Sequence, residues 1–237
     1  MGAWTRAGGR AAGVAAYGFG ATCSLLRGGR RAFHPTGCCF RATLHVDGGE
    51  PLADGLLPPG RHHAYLRLSR GAGLPERWPD ILGIALRVEL GSDRRLDLLF
   101  NSSGAGAAGK HVMVPARRFY ERPYSTILGY DVYRRHVLVG LLPPEGDRGP
   151  SLAELRRSRR LDGEVFTVAV ARRDAGWRPA GRLVVGDPYP EGEEELVFDP
   201  WNVPGPARPG GFFNTLRKSA YPGAERVQEV RGTRPRG

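Results

Sequence analysis

This 237-residue chain has no run of apolar residues that reaches the ~20 needed for a membrane-spanning helix. The nearest approach, Ala11–Leu26, is uncharged but rich in Gly and Ala and only weakly apolar. It follows Arg6 and Arg10 in the outline of a secretory signal. However, no small-x-small cleavage site precedes the charged run Arg27–Arg31, and Thr22-Cys23 is a poor lipoprotein site. The expectation is therefore an N-terminal arm or helix over residues 1–30 packed on the domain, in a cytoplasmic protein, with secretion the lesser alternative. Cysteine is scarce too: Cys23, Cys38 and Cys39 are odd in number and lack CxxC spacing. Neither a disulfide framework nor a zinc site is indicated, and a reducing compartment is expected. Lysine is almost missing, with only Lys110 and Lys218, so the formal charge of +11 is carried by arginine. The arginines are scattered rather than gathered on one periodic face, which looks more like codon bias than a phosphate footprint. With no base-reading motif, no nucleic-acid partner is expected, and any retention on duplex DNA should collapse with modest salt. There is no repeat of 20 to 50 residues and no Gly-rich phosphate loop.

What is present is a succession of short strands. A chain of this length can bury one good core, and all-β barrels of such size commonly form one domain. Cys39–Val46 alternates apolar and polar residues, Gly48–Gly60 is a loop, and His63–Gly71, Ile81–Leu90, Arg95–Phe100 and His136–Leu142 read as strands. Gly104–Gly109 reads as a flexible link. Val114–Tyr130 mixes apolar and basic residues in the manner of a helix broken at Pro123. Ser151–Arg160 carries a helix start, with Ser151 as N-cap and Glu154 completing a capping box. Glu164–Arg173 and Arg182–Val185 form a hairpin pair around Gly176, and Glu195–Phe198 a last strand. The fold expected is α+β, mainly β: an antiparallel β-barrel over residues 31–230 with a few flanking helices and a flexible basic tail at 231–237.

Chemistry gathers near the C-terminus. If Gly210–Ala220 is helical, Arg217 and Tyr221 share one face, and Pro222 stops the helix at the phenol. A cation beside a phenol favours the phenolate, a hard ligand for ferric iron. Arg217-x-x-x-Tyr221-Pro222 with Arg226 beyond it resembles the proximal segment of the haem catalases, and Phe198-Asp199-Pro200-Trp201-Asn202 resembles the approach to that segment. Upstream, Arg31-x-x-His34-x-x-Gly37 resembles the distal-histidine segment of that family, Arg67-Leu-Ser69 its Arg-Phe-Ser, and Asp97-Leu98-x-x-Asn101 its Asp-Leu-x-x-Asn. Residues i and i+2 of a strand face one side, so Arg67 and Ser69 are expected to point into one cavity.

The resemblance, covering roughly Arg31 to Arg226, implies a catalase-like barrel holding haem b and its iron. Tyr221 would be the axial metal ligand and Arg217 its charge partner. His34 would be the proton shuttle, Ser69 would hold its far nitrogen, and Asn101 would orient the peroxide. Arg31, Arg67 and Arg226 would anchor propionates, and Phe119 and Tyr120 are candidates to lie near the haem. The implied activity is haem-dependent decomposition of hydrogen peroxide or organic hydroperoxides with an unidentified reductant, as in a catalase-related peroxidase; a homo-oligomer stays open. Two departures stand out. Gln228 occupies a position where the family carries arginine, and the sequence ends soon after Tyr221, from which a more open pocket and a peroxidase-type reaction are expected. Two alternatives remain: a haem enzyme converting fatty-acid hydroperoxides on the same barrel, and a non-catalytic barrel or Arg-rich nucleic-acid-binding module.

Overall fold

The expected alternation is built into the first strand. β1 (Thr36–Val46) buries Cys38, Phe40, Ala42, Leu44 and Val46, whereas Arg41 between them is exposed and Thr43 and His45 are half-buried. Period-two burial of this kind gives a strand one apolar side to hide. The computed structural model describes residues 36–50, 53–91, 94–146, 148–161, 163, 165–189, 196 and 198–210. After β1 come β2 (Gly60–Arg70), β3 (Leu82–Glu89), β4 (Arg95–Ser102), β5 (Tyr124–Ser125), β6 (Tyr130–Val132), β7 (Arg135–Leu142), β8 (Val165–Arg172), β9 (Arg178–Pro188) and β10 (Arg208–Pro209). Two short helices, α1 (Gly106–Gly109) and α2 (Leu152–Ser158), complete the elements among the described residues.

Eight of the strands close on themselves. Every pairing is antiparallel, in the order β1-β2-β3-β4-β5-β7-β8-β9, with β9 returning to β1. β6 pairs with β7, and β10 pairs with β6. Closure leaves those eight strands no free edge to pair with another chain. Register makes the inside apolar: Phe40 lies opposite Leu66, Leu66 opposite Leu86, and Leu86 opposite Leu98, all within one buried cluster. Among the described residues no helix is long and apolar enough to cross a membrane.

The strand and cap expectations are met closely, and three local ones are corrected. α2 begins at Ser151, whose side chain accepts from the Glu154 amide while the Glu154 carboxylate accepts from the Ser151 amide. The broken helix expected over Val114–Tyr130 does not form. Ala116 instead exchanges backbone hydrogen bonds with Asp80, and the Tyr124 hydroxyl, fully buried, donates to the Phe119 carbonyl. Gly104–Gly109 contains a helical turn rather than only a link. At 195–198 the described residues Leu196 and Phe198 are not in a strand, because this stretch of chain docks through a side chain, as described below.

Candidate functional site

One row of residues runs around the outside of the barrel. Gly37, Ser69, Gly83, Asn101, Ser125 and Gly140 are successive cross-strand partners on β1, β2, β3, β4, β5 and β7. Direct partners project from the same face of a sheet. Their chain neighbours Leu68, Ile84, Phe100, Tyr124 and Leu141 are in the core, so this row faces away from it. Arg67 and Ser69 therefore do share a face, as their spacing requires. Leu66 and Leu68 fill the inside of the barrel, so the polar pair lies on the outer wall, and any cavity the two share lies there.

That wall is still substantially covered. Arg67 is 9% exposed and Ser69 3%. The Ser69 hydroxyl donates to the Gly83 carbonyl at 3.3 Å. Asn101 is half-buried, and its side-chain carboxamide makes no hydrogen bond to another described residue. Gly37 explains itself only here: a Cβ at that position would lie 2.8 Å from Arg67 Cζ and 2.8 Å from the Leu68 carbonyl oxygen. The glycine that closes one motif thus makes room for the arginine that opens another. Because one of the obstacles is backbone, Gly37→Ala should cost about 1–3 kcal/mol in urea unfolding. An unchanged midpoint would show that Arg67 does not need that space.

A second feature joins two further motifs. Asp97, fully buried on the outer side of β4, receives its cross-strand neighbour Arg87 through Nε to Oδ1 at 2.8 Å and Nη2 to Oδ2 at 2.6 Å. The amide of Asp199 donates to the same carboxylate at 2.8 Å, and the Asp97 amide donates to the Asn202 carbonyl at 2.9 Å. The Asp199 carboxylate turns the chain by accepting from the Trp201 amide at 2.9 Å, and the Arg87 guanidinium lies 5.2 Å from the centre of the Phe198 ring. The Phe198–Asn202 segment is thereby fastened across β3 and β4. The hydrogen bond to Asp97 and its negative charge hold the Arg87 guanidinium above its usual range, against the opposing effect of burial. Arg87 was not among the residues singled out from sequence. Its only sequence signal is a charge opposite in sign to Asp97 across a hairpin, legible once the register is known.

From this clasp the chain runs to β10, and the Gly210 amide donates to the Gly129 carbonyl at 3.1 Å. A small cavity of about 10 Å³ lies beneath it, lined by Leu99, Thr126, Leu128 and Pro200 among others. It is large enough for one water at most. Arg31, His34, Arg217, Tyr221 and Arg226 lie outside the described residues, as do the N-terminal arm and the basic tail. Phe119 and Tyr120 belong to the core cluster, with Tyr120 edge-on to Phe166 of β8 at 5.5 Å. Burial holds the Tyr124 phenol well above its usual range, so it stays a neutral donor. Among the described residues no three His, Cys, Asp or Glu side chains gather to hold a metal ion.

Neither the known protein families nor the characterised proteins match this chain in sequence. Solved structures do match in fold. Catalase A from Saccharomyces cerevisiae superposes with a TM-score of 0.58 at 12% identity, over 86% of this chain and 62% of the yeast protein. A fungal catalase gives 0.58 and 12%, over 81% of this chain and 57% of its own. The chain thus spans under two thirds of the length of these catalases, and what it shares with them is a catalase-like barrel fold.

Proposed function

We propose that the protein is a haem-dependent, peroxide-decomposing oxidoreductase, with haem b held against the outer wall of the barrel that carries Arg67, Ser69 and Asn101. The observation that supports this reading most is the row itself. A guanidinium, a hydroxyl and an amide share one face, and Gly37 and Gly83 keep that face low beside them. This donor set suits a flat, anionic group, since arginine pairs with carboxylates in a fork that lysine cannot match. β1 begins two residues after His34 and at the level of this row, with Thr36 opposite Arg70 and Gly37 opposite Ser69.

Each residue then has a task its chemistry allows. Arg31 and Arg67, with Arg226, would hold the propionates. Tyr221 would bind the iron as phenolate, with Arg217 favouring its charged form. Haem iron, when bound, supplies the electrons that cleave the O–O bond. The Ser69 hydroxyl lies within hydrogen-bond reach of the Gly83 carbonyl and has lone pairs that could accept from an imidazole. It would hold the far nitrogen of His34 and so fix the tautomer, leaving the other ring nitrogen, on the peroxide side, basic. That nitrogen would take a proton from one peroxide oxygen and return it to the other, and the Asn101 amide would orient the substrate. The test is peroxide consumption by the haem-loaded protein with a phenolic reductant, comparing hydrogen peroxide with an organic hydroperoxide. Turnover of either, lost in Asn101→Ala with haem retained, supports the assignment. No turnover of either contradicts it.

A further inference from the structure

Three large hydrophobic side chains stand exposed among the described residues, and two of them sit on one loop: Leu74 at 39% and Trp78 at 56%. The loop joins β2 to β3, starting two residues beyond Ser69 and so at the same end of the barrel as the polar row. Its tip also exposes Pro75 and Pro79. A mobile loop with such side chains would need no comment, but this one is fastened from beneath. Arg70 Nη2 donates to the carbonyls of Pro75 at 3.3 Å and Trp78 at 2.6 Å. Asp80 accepts from the amides of Ala72 at 2.9 Å and Leu74 at 3.1 Å. The two charged side chains lie 3.6 Å apart at 2% and 1% exposure, and Asp80 is pinned in turn by its backbone exchange with Ala116. A buried ion pair is a costly way to hold a loop, and the outcome here is a fixed backbone that presents Leu74 and Trp78 outward.

We infer that this tip is a docking element for an anionic phospholipid surface. Charge and shape favour that occupant. Exposed Arg77 stands beside Trp78, and exposed Arg117 follows Ala116, the backbone partner of Asp80. Glu76 is the one exposed acidic side chain on the loop, Asp80 being buried against Arg70, within a chain of net charge +11. An exposed indole with arginines on its own and the adjoining segment suits the headgroup level of a bilayer, where its apolar body and polar edge are both satisfied. Two apolar side chains fall far short of the roughly 800 Å² per partner that a stable protein interface buries. The rigid backbone removes the ordering cost that a flexible loop would incur on insertion. The inference does not rest on the haem reading, and the experiment needs no haem.

The full chain is sedimented with vesicles of phosphatidylcholine alone, or of equal parts phosphatidylcholine and phosphatidylserine. The wild type should bind the mixed vesicles. Because the whole chain is cationic, the apolar variant decides: Leu74→Ser with Trp78→Ser should lower partitioning by about tenfold or more, with an unchanged thermal midpoint because both side chains are exposed. Arg77→Gln with Arg117→Gln should lower it by roughly tenfold or more on the mixed vesicles and leave phosphatidylcholine unaffected. Wild type that ignores the mixed vesicles, or binds them no better than the Leu74/Trp78 variant, overturns the proposal. So does a concentration-dependent dimer that this variant abolishes while vesicles go unbound, since the tip would then be a contact between copies.

Discussion

His34→Ala should slow peroxide cleavage by about 10²–10⁴-fold, the usual cost of losing a general acid–base group, while the ferric haem stays bound. Tyr221→Phe should do something different in kind: with the phenol oxygen gone, haem should bind weakly or take another ligand. Arg217→Ala should fall between them, because iron can hold a phenolate whose proton affinity has risen through loss of the neighbouring cation. The expected order of haem retention is therefore His34→Ala, then Arg217→Ala, then Tyr221→Phe. Haem content by pyridine haemochrome and initial rates of peroxide loss measure the two effects separately. Equal occupancy in all three variants would remove Tyr221 as the ligand. Undiminished turnover in His34→Ala would remove the proton shuttle.

Asp97→Ala should destabilise the protein by about 3–5 kcal/mol, because it strands a largely buried arginine and removes the acceptor for a distant backbone amide. Arg87 would lose both of its short hydrogen bonds, and the amide of Asp199 its carboxylate acceptor. Two results are expected together: a lower urea midpoint, and faster hydrogen exchange at Asp199 and its neighbours. Arg87→Met with Asp97→Leu should recover much of the global stability, since replacing a buried pair by apolar groups is often neutral. It should not restore protection at Asp199, whose partner is still missing. A loss below about 1 kcal/mol in Asp97→Ala would mean that the clasp contributes little beyond its geometry.

Much of the barrel was legible because its strands alternate. Phe40, Ala42 and Leu44 on β1, and Leu66 and Leu68 on β2, announce an apolar face, and the residues between them announce a polar one. Alternation cannot say which face becomes the inside of a closed sheet, because that depends on eight strands returning to their start. The shared face of Arg67 and Ser69 follows from their spacing, whereas its place on the outer wall follows only from closure of the barrel. Gly37 and Asp97 were visible as motif positions, but their reasons lie in other strands: a guanidinium from β2 for Gly37, a backbone amide 102 residues away for Asp97. The helix expected over Val114–Tyr130 failed where a local pattern met tertiary pairing, since the exchange between Ala116 and Asp80 holds the chain extended. At Leu196 and Phe198 an apolar run imitated a strand, and the chain was secured through a carboxylate instead of a ladder.

The most direct measurement is the ultraviolet–visible spectrum of the full chain after titration with haemin, recorded beside Tyr221→Phe. A saturable Soret band is expected in the wild type, with ferric features typical of phenolate ligation that are lost or displaced in the variant. A wild type that takes up no haem, or a Tyr221→Phe spectrum indistinguishable from its own, would contradict a tyrosinate-held haem on this barrel.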